Sequence, residues 1–309
     1  NDKTLSLILK SNTNFSPSLF IEDSVTSNRL SRFIAVDVDL NQNETYFNGI
    51  TKATDSTESL INIFKKTTPQ VNKLPSITPS NSDGFLSFTF DNFDIFKANL
   101  LKFNKKDSIT NNTKLFNDIV EIGIIYEDKN RAIVLNSTDV IATKDALLAE
   151  ETIADTYRGI DVYNFSKPVL FAKTFNPLIR YNDANLYCVL DDYFVFTNKI
   201  DMLQNIIANY QNKTTLNNTS NFKNAKEKLS DAASILQVMN ATTLKTVLNK
   251  NIETSTNSEF KNYNTSAIQF IYDTNFAHVN GIIKKNKTRA TVDSVSEELN
   301  IKLDKPLLN

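Results

Sequence analysis

The sequence carries a single cysteine, Cys188, and a single histidine, His278, among 309 residues. One cysteine excludes an intrachain disulfide, and one histidine excludes a metal site built from several imidazoles. Glycine occurs five times, too sparsely for a glycine-rich loop that cradles a phosphate. Neither sign of charge dominates. Lys and Arg number 34, Asp and Glu 35, and the net charge is -1, so the basic excess of a broad nucleic-acid footprint is missing. No run approaches the ~18 consecutive apolar residues of a membrane-spanning helix. These absences remove much catalytic machinery. What remains describes an architecture more than an activity.

The apolar material is ample. Hydrophobic residues make up 40% of the chain, with 21 Phe and 10 Tyr supplying the large side chains in place of tryptophan. That is enough for a sizeable core and too much for a disordered chain. Asn1 stands first without a methionine, so the lack of a signal peptide gives no compartment. The last residues, 301–309, alternate like a strand entering a turn, as expected of a piece cut from a longer protein.

The most informative pattern is a repeated order of elements. Residues 84–90 alternate with period two, placing Leu86, Phe88 and Phe90 on one face. Asp91 and Asn92 are suited to cap a helix striped by Phe93, Ile95, Phe96 and Leu100. Val120, Ile122, Ile124 and Tyr126 line the next strand, Glu127-Asp128-Lys129-Asn130 makes a turn, and residues 131–136 return. A helix over about 139–150 closes the unit. The order recurs after residue 160: a strand over 160–163, a short helix within 168–179, a strand face of Leu186, Cys188 and Leu190, and an Asp191-Asp192 turn into 193–196. Asn198 then reads as the cap of a helix striped by Met202, Leu203, Ile206, Ile207 and Tyr210.

Two less complete copies flank these. The first has a strand at 5–10, a short helix near 17–20, a hairpin over 33–40 and 44–51, and a helix at 59–66. The last has a strand at 233–239, a helix at 241–249 and a hairpin over 266–273 and 276–285. The expected fold class is therefore α+β: repeated β-α-β-β-α units forming antiparallel or mixed sheets with helices packed on one face. The expected units are 1–80 including a linker, 81–150, 151–232, and an incomplete 233–309. Residues 67–82, with Pro69, Pro75 and Pro79, read as a linker or long surface loop, and 211–221 as a polar loop.

Each candidate site also has an ordinary structural role. His278 lies in a strand with no nucleophile or orienting partner to nominate. Cys188 sits mid-strand among apolar residues, where a thiol is a small hydrophobe. Asp37, Asp39, Asn41 and Asn43 offer oxygens at alternate positions and could meet a hard cation such as calcium. The wet face of a strand entering a turn explains them better, because Ile34, Val36, Val38 and Leu40 fill the other face. Asp191-Asp192 and Glu150-Glu151 are neighbours in sequence, whereas paired carboxylates for glycoside hydrolysis must face each other across roughly 5 to 10 Å. Lys105-Lys106 and Lys284-Lys285-Asn286-Lys287 are short basic clusters suited to hairpin tips, the second able to touch an anionic envelope surface. No catalytic, cofactor-binding or metal-ligating residue and no cofactor is expected.

The segments Tyr46-Phe47-Asn48-Gly49-Ile50, 192–198, Phe276-Ala277-His278-Val279-Asn280 and Val295-Ser296-Glu297-Glu298-Leu299 resemble a family of large uncharacterised exported proteins of Bacteroidota, often lipoproteins. The resemblance implies a region that precedes a β-propeller-like C-terminal part, an exported location at the outer membrane, periplasm or cell surface, and a lipid anchor outside this chain. It carries no catalytic residues. O-glycans at Asp-Ser/Thr followed by an apolar residue would fall at Asp23-Ser24-Val25, Asp107-Ser108-Ile109 and Asp293-Ser294-Val295. The expected function is a non-enzymatic structural or protein-interaction module of the envelope, with a protein partner and no nucleic acid. A glycan- or peptide-binding module, with Tyr157, Tyr163, Tyr181 and Tyr193 as an exposed row, is the second expectation. A carboxylate- or metal-dependent hydrolase is the third.

Overall fold

The computed structural model of the protein describes residues 3–10, 30–31, 33–41, 44–52, 59–106, 114–148, 152–240 and 263–285. The helices expected at 17–20 and 241–249, Asn43, Glu150-Glu151, Asn286, Lys287 and the three Asp-Ser triplets lie outside the described residues.

The fold is α+β, and the described residues build a 13-stranded sheet against which helices pack. The strands are β1 (Lys3–Lys10), β2 (Phe33–Leu40), β3 (Glu44–Lys52), β4 (Gly84–Thr89), β5 (Ile119–Glu127), β6 (Asn130–Ser137), β7 (Ile153–Tyr157), β8 (Ile160–Asn164), β9 (Leu186–Leu190), β10 (Tyr193–Thr197), β11 (Ile235–Asn240), β12 (Tyr263–Asp273) and β13 (Phe276–Lys285). Their spatial order is β1-β2-β3-β13-β12-β11-β4-β5-β6-β10-β9-β8-β7. Each neighbouring pair is antiparallel.

The order has an internal rule. Four triples, each a single lead strand followed by a hairpin, occupy contiguous places: β1-β2-β3, β11-β12-β13, β4-β5-β6 and β8-β9-β10. The triples join trailing strand to trailing strand at β3·β13, lead to lead at β11·β4, and trailing to trailing at β6·β10. The hairpins turn where the backbone needs positive φ, at Asp128 (52°), Asp191 (51°) and the Arg158-Gly159 pair (50° and 78°). Asp and Gly tolerate that region, and it matches the right-handed twist of the flanking strands.

The helices are α1 (Phe93–Phe103), α2 (Val140–Asp145), α3 (Leu170–Phe175), α4 (Ile200–Gln211) and α5 (Ser220–Lys226). The side chain of Asn92 caps α1 by accepting from the Ile95 amide at 3.0 Å, as the sequence predicts. Alternation in the strands then assigns two cores. On one face Leu86, Phe88, Phe90, Ile122, Ile124 and Phe196 meet α1, α3 and the 3₁₀ turn Leu60–Phe64. This core is rich in aromatic contacts. Phe175 lies 5.1 Å from Phe116 edge-on and 5.9 Å from Phe93, and Phe90 stacks on Phe96 at 4.4 Å. On the other face Phe85, Ile125, Val134, Cys188, Val195 and Val238 meet α4 and α5. Helices thus pack against the sheet as the sequence predicts, and over the central strands they do so on both faces.

Several local expectations need correction. Residues 67–82 pack rather than dangle: Leu74, Ile77 and Thr78 are fully buried. The 3₁₀ turn Leu74–Ser76 lies on the second face of the sheet. Residues 220–226 form α5 at the end of the expected polar loop. Ile153–Tyr157 is a strand that the alternation did not reveal. Within 59–66 the expected helix is the five-residue 3₁₀ turn Leu60–Phe64, and the helix over 139–150 is only α2. Ile95 is half-buried, and Phe103 completes the α1 stripe instead. A bulge between Ile119 and Glu121 breaks the alternation at Val120, so Ile119 faces the first core.

Candidate functional site

The buried polar groups gather where residues 67–82 meet the sheet. Strand β5 presents Glu121, Gly123 and Ile125 at alternate positions. Gly123 leaves room for the loop: a Cβ there would meet Leu74 Cδ2 at 2.3 Å and the Leu86 carbonyl oxygen at 2.6 Å. Two residues earlier, Glu121 is fully buried. Its carboxylate accepts from the Lys73 amide at 2.8 Å, the Leu74 amide at 3.4 Å and the Ser87 hydroxyl at 2.5 Å. The Asn72 side-chain amide donates to Ser87 Oγ at 3.0 Å. Glu121 therefore caps the start of the Leu74–Ser76 turn, a place where backbone donors have no helical partner.

Burial dominates the titration of Glu121. Desolvation pushes its carboxyl up to about 7, against the opposing pull of hydrogen bonds from Ser87, Lys73, Leu74 and Asn72. A carboxyl near neutrality is a feature of many general bases, but here the acceptor sites hold the chain's own donors. The described hollows are lined by other residues.

The surrounding groups extend the clamp. Lys73 Nζ pairs with Asp192 at 2.9 Å, and the Tyr193 hydroxyl donates to the Lys73 carbonyl at 3.2 Å. Partial desolvation of Asp192 is outweighed by its Lys73 and Asn136 hydrogen bonds, which hold its carboxyl below the ordinary value. The Tyr210 hydroxyl donates to Asp191 Oδ2 at 2.5 Å. Asp191 and Asp192 thus occupy the β9–β10 turn and tie α4 and the 67–82 segment to it. Further along, the loop is stitched by backbone bonds from Asn72 to Asp231, Ser80 to Thr214 and Leu216 to Thr78.

The structure distributes the other sequence candidates. Cys188 is buried, and desolvation pushes its thiol up to about 12, which removes the thiolate a nucleophile requires. His278 is exposed on β13, edge-on to Phe276 at 5.1 Å. Asp37 and Asp39 are exposed on β2, while the Asn41 side chain accepts from the Glu44 amide at 2.7 Å and closes the hairpin turn. Among the described residues no group of three or more His, Cys, Asp or Glu is placed to hold a metal. Lys105 has positive φ at 54° in the turn after α1, and Lys284 faces Glu44 at 3.6 Å. The four tyrosines do not form a row. Tyr163 and Tyr181 pack on the first core, Tyr157 on the second, and Tyr193 is buried in the second. Asn198 is not the cap of α4: its side chain bonds Asp183 at 2.5 Å, and Lys199 takes the cap position without a side-chain bond.

Two hollows lie near the β7 end of the sheet. The larger, about 650 Å³, is lined by Asn164, Phe165, Asn185, Asn198, Ile200 and Asp201 among others. The smaller, about 240 Å³, lies between Lys144 and Leu147 and the stacked pair Tyr163–Tyr187. Among the described residues no helix is long and apolar enough to cross a membrane.

The model of a family described as a protein of unknown function, DUF3352, matches residues 124–299, more than half of the chain. The chain belongs to this family. The DUF3352 match begins inside β5 and runs past β13, so it includes the turn at Asp191-Asp192 but not Glu121, Gly123 or the loop they hold. No curated protein matches the chain. Among solved structures, crystal form III of TP0453 is similar at 10% identity and a TM-score of 0.36, over 75% of this chain and 87% of that one. Crystal form I of TP0453 gives 7% and 0.35, over 75% and 86%. Likeness at that level carries neither fold nor function to this DUF3352 chain.

Proposed function

We propose that the chain is a non-catalytic scaffold of the bacterial cell envelope that binds another protein through the edges of its sheet. One observation carries the reading. The buried ionisable and hydroxyl groups of the clamp are occupied in holding the fold, whereas the two terminal strands, β1 and β7, each have one paired neighbour among the described residues. An unpaired strand side is a row of backbone donors and acceptors that a partner strand can complete. The envelope setting rests on the resemblance of 46–50, 192–198, 276–280 and 295–299 to exported proteins of Bacteroidota. A place in an outer-membrane or surface complex, a lipid anchor beyond this chain and a propeller-like continuation belong to the same proposal. So does the division into units at 80, 150 and 232, which assigns one lead-strand-and-hairpin triple to each.

The test is site-specific photo-crosslinking in the native envelope, with the reactive residue placed at Asp155 on β7, at Ser6 on β1, or at exposed Lys223 on α5 as control. A reproducible protein adduct from an edge position and none from α5 is expected. Adducts that form equally at all three positions, or at none, refute the edge-binding reading.

The larger hollow supports a second reading, a glycan or peptide site. Its side-chain amides at Asn164, Asn185 and Asn198 and its apolar wall at Phe165 and Ile200 suit a ligand that is polar at its rim and apolar on one face. Chemical-shift changes confined to these residues on adding an oligosaccharide would support it. An unchanged spectrum across glycan and peptide panels would remove it.

A further inference from the structure

The joints of the sheet alternate, and the alternation predicts what the next joint would be. From one end the joins run trailing–trailing (β3·β13), lead–lead (β11·β4) and trailing–trailing (β6·β10), with nine, five and four residue pairs respectively. Both ends of the row therefore finish on a lead strand, β1 at one and β8 at the other. The rule calls for a lead–lead join at each.

The two ends are treated differently. At β8 the chain folds its own β7 back through the Arg158-Gly159 turn and covers the lead strand. The covering strand has five residues and a bulge between Ile153 and Asp155, so a strand added there gains a shorter join than one added at β1. At β1 no such cover exists among the described residues. Its eight residues pair with β2 from Lys3↔Leu40 to Lys10↔Phe33 without a register shift. An unbulged strand of that length can support a join longer than β11·β4 or β6·β10.

We propose that β1 pairs antiparallel with β1 of a second copy of this chain, giving a two-fold dimer with one sheet running through both copies. The occupant follows from the rule: the join must be lead to lead and antiparallel, as at β11·β4. A second copy's β1 is a lead strand with one side uncovered among the described residues, and an antiparallel pairing of identical strands closes on a two-fold axis. The inference deepens the edge-binding reading by naming the partner at one edge. It can fail alone, since a different protein can still be held at β7.

Sedimentation of the chain over a wide dilution series should give a monomer–dimer equilibrium. Ser6→Pro and Leu7→Pro then separate the two sides of the strand, because successive residues point their N–H groups to opposite sides. One substitution should abolish the dimer and leave the thermal transition of the monomer near wild type; the other should destabilise the fold by removing a bond to β2. If neither variant folds, spin labels decide. A label at Ser6→Cys should show a short intermolecular distance near the two-fold axis, and one at Thr156→Cys on β7 should not; the buried Cys188 leaves both labels free of background. A monomer at every concentration, a dimer that survives both prolines in folded protein, or a Ser6 label without intermolecular coupling overturns the proposal.

Discussion

Glu121 makes the fold sensitive to pH in an unusual direction. Its carboxyl titrates near 4.5 when unfolded and is pushed up to about 7 when folded, so between those values the folded state holds the extra proton. Stability then falls as pH rises. The contribution is fully present below about 4.5 and lost as pH passes through 7. A separation of about 2.5 pH units corresponds to about 3 kcal/mol. Glutamine does not titrate and keeps an acceptor for the Lys73 amide, while its NH2 faces Ser87, whose hydroxyl donates to Glu121 in the wild type and turns to accept in the variant. Glu121→Gln should therefore remove this component. Measured by urea denaturation at a series of pH values, the stability difference between variant and wild type should shift by about 3 kcal/mol in the variant's favour from pH 4.5 to pH 8. Parallel curves for the two proteins would refute the reasoning, because they would mean that Glu121 titrates alike in the folded and unfolded chain.

Other consequences follow from the same packing. Gly123→Ala should cost about 1–3 kcal/mol, since its methyl would press on Leu74 and the Leu86 carbonyl, and hydrogen exchange at 72–78 should rise with it; unchanged exchange would mean the loop is held elsewhere. Phe175→Ala, which empties the middle of an aromatic cluster, should cost about 3–5 kcal/mol in the same denaturation assay. Lys73→Ala should cost at most about 1 kcal/mol, because the Asp192 pair is partly solvated, and the loss should shrink further in high salt. The Cys188 thiol should resist alkylation in the native protein at pH 8 and react once urea unfolds it.

Strands such as 84–90 and 193–197 were legible because both of their faces meet a core, which concentrates aromatic and β-branched residues in a short run bounded by turn residues. Edge strand β7 was not, since its residues are mostly exposed and leave no apolar alternation to read. Helix α5 was hidden for a related reason: in seven residues it buries only Phe222 and Ala225. The 67–82 segment misled through its prolines, which mark irregular backbone but do not say whether that backbone is packed. What packs it lies some fifty residues away in β5, in the pairing of Glu121 with Gly123. A carboxylate inside the apolar run Ile119-Val120-Glu121-Ile122-Gly123-Ile124, with a glycine two residues on and so on the same strand face, was the available signal. Asn198 misled because the cap residue type was right, but a better partner, Asp183, claimed its side chain.

The position of β13 in the sheet sets an order of events during synthesis. The first hairpin, β2–β3, leaves the ribosome early, yet its outer neighbour is β13, and Asn48 meets the Asn280 side chain across a separation of 232 residues. Among the described strands, the last triple alone joins the first three to the rest of the sheet, through β3·β13 on one side and β11·β4 on the other. Until residues 235–285 are made, the nascent chain carries two incomplete sheets with open edges at β3 and β4. The N-terminal strands must therefore wait, unpaired on one side, for the C-terminal ones. Premature termination before β13 would leave two edges prone to aggregation in place of a smaller version of the fold.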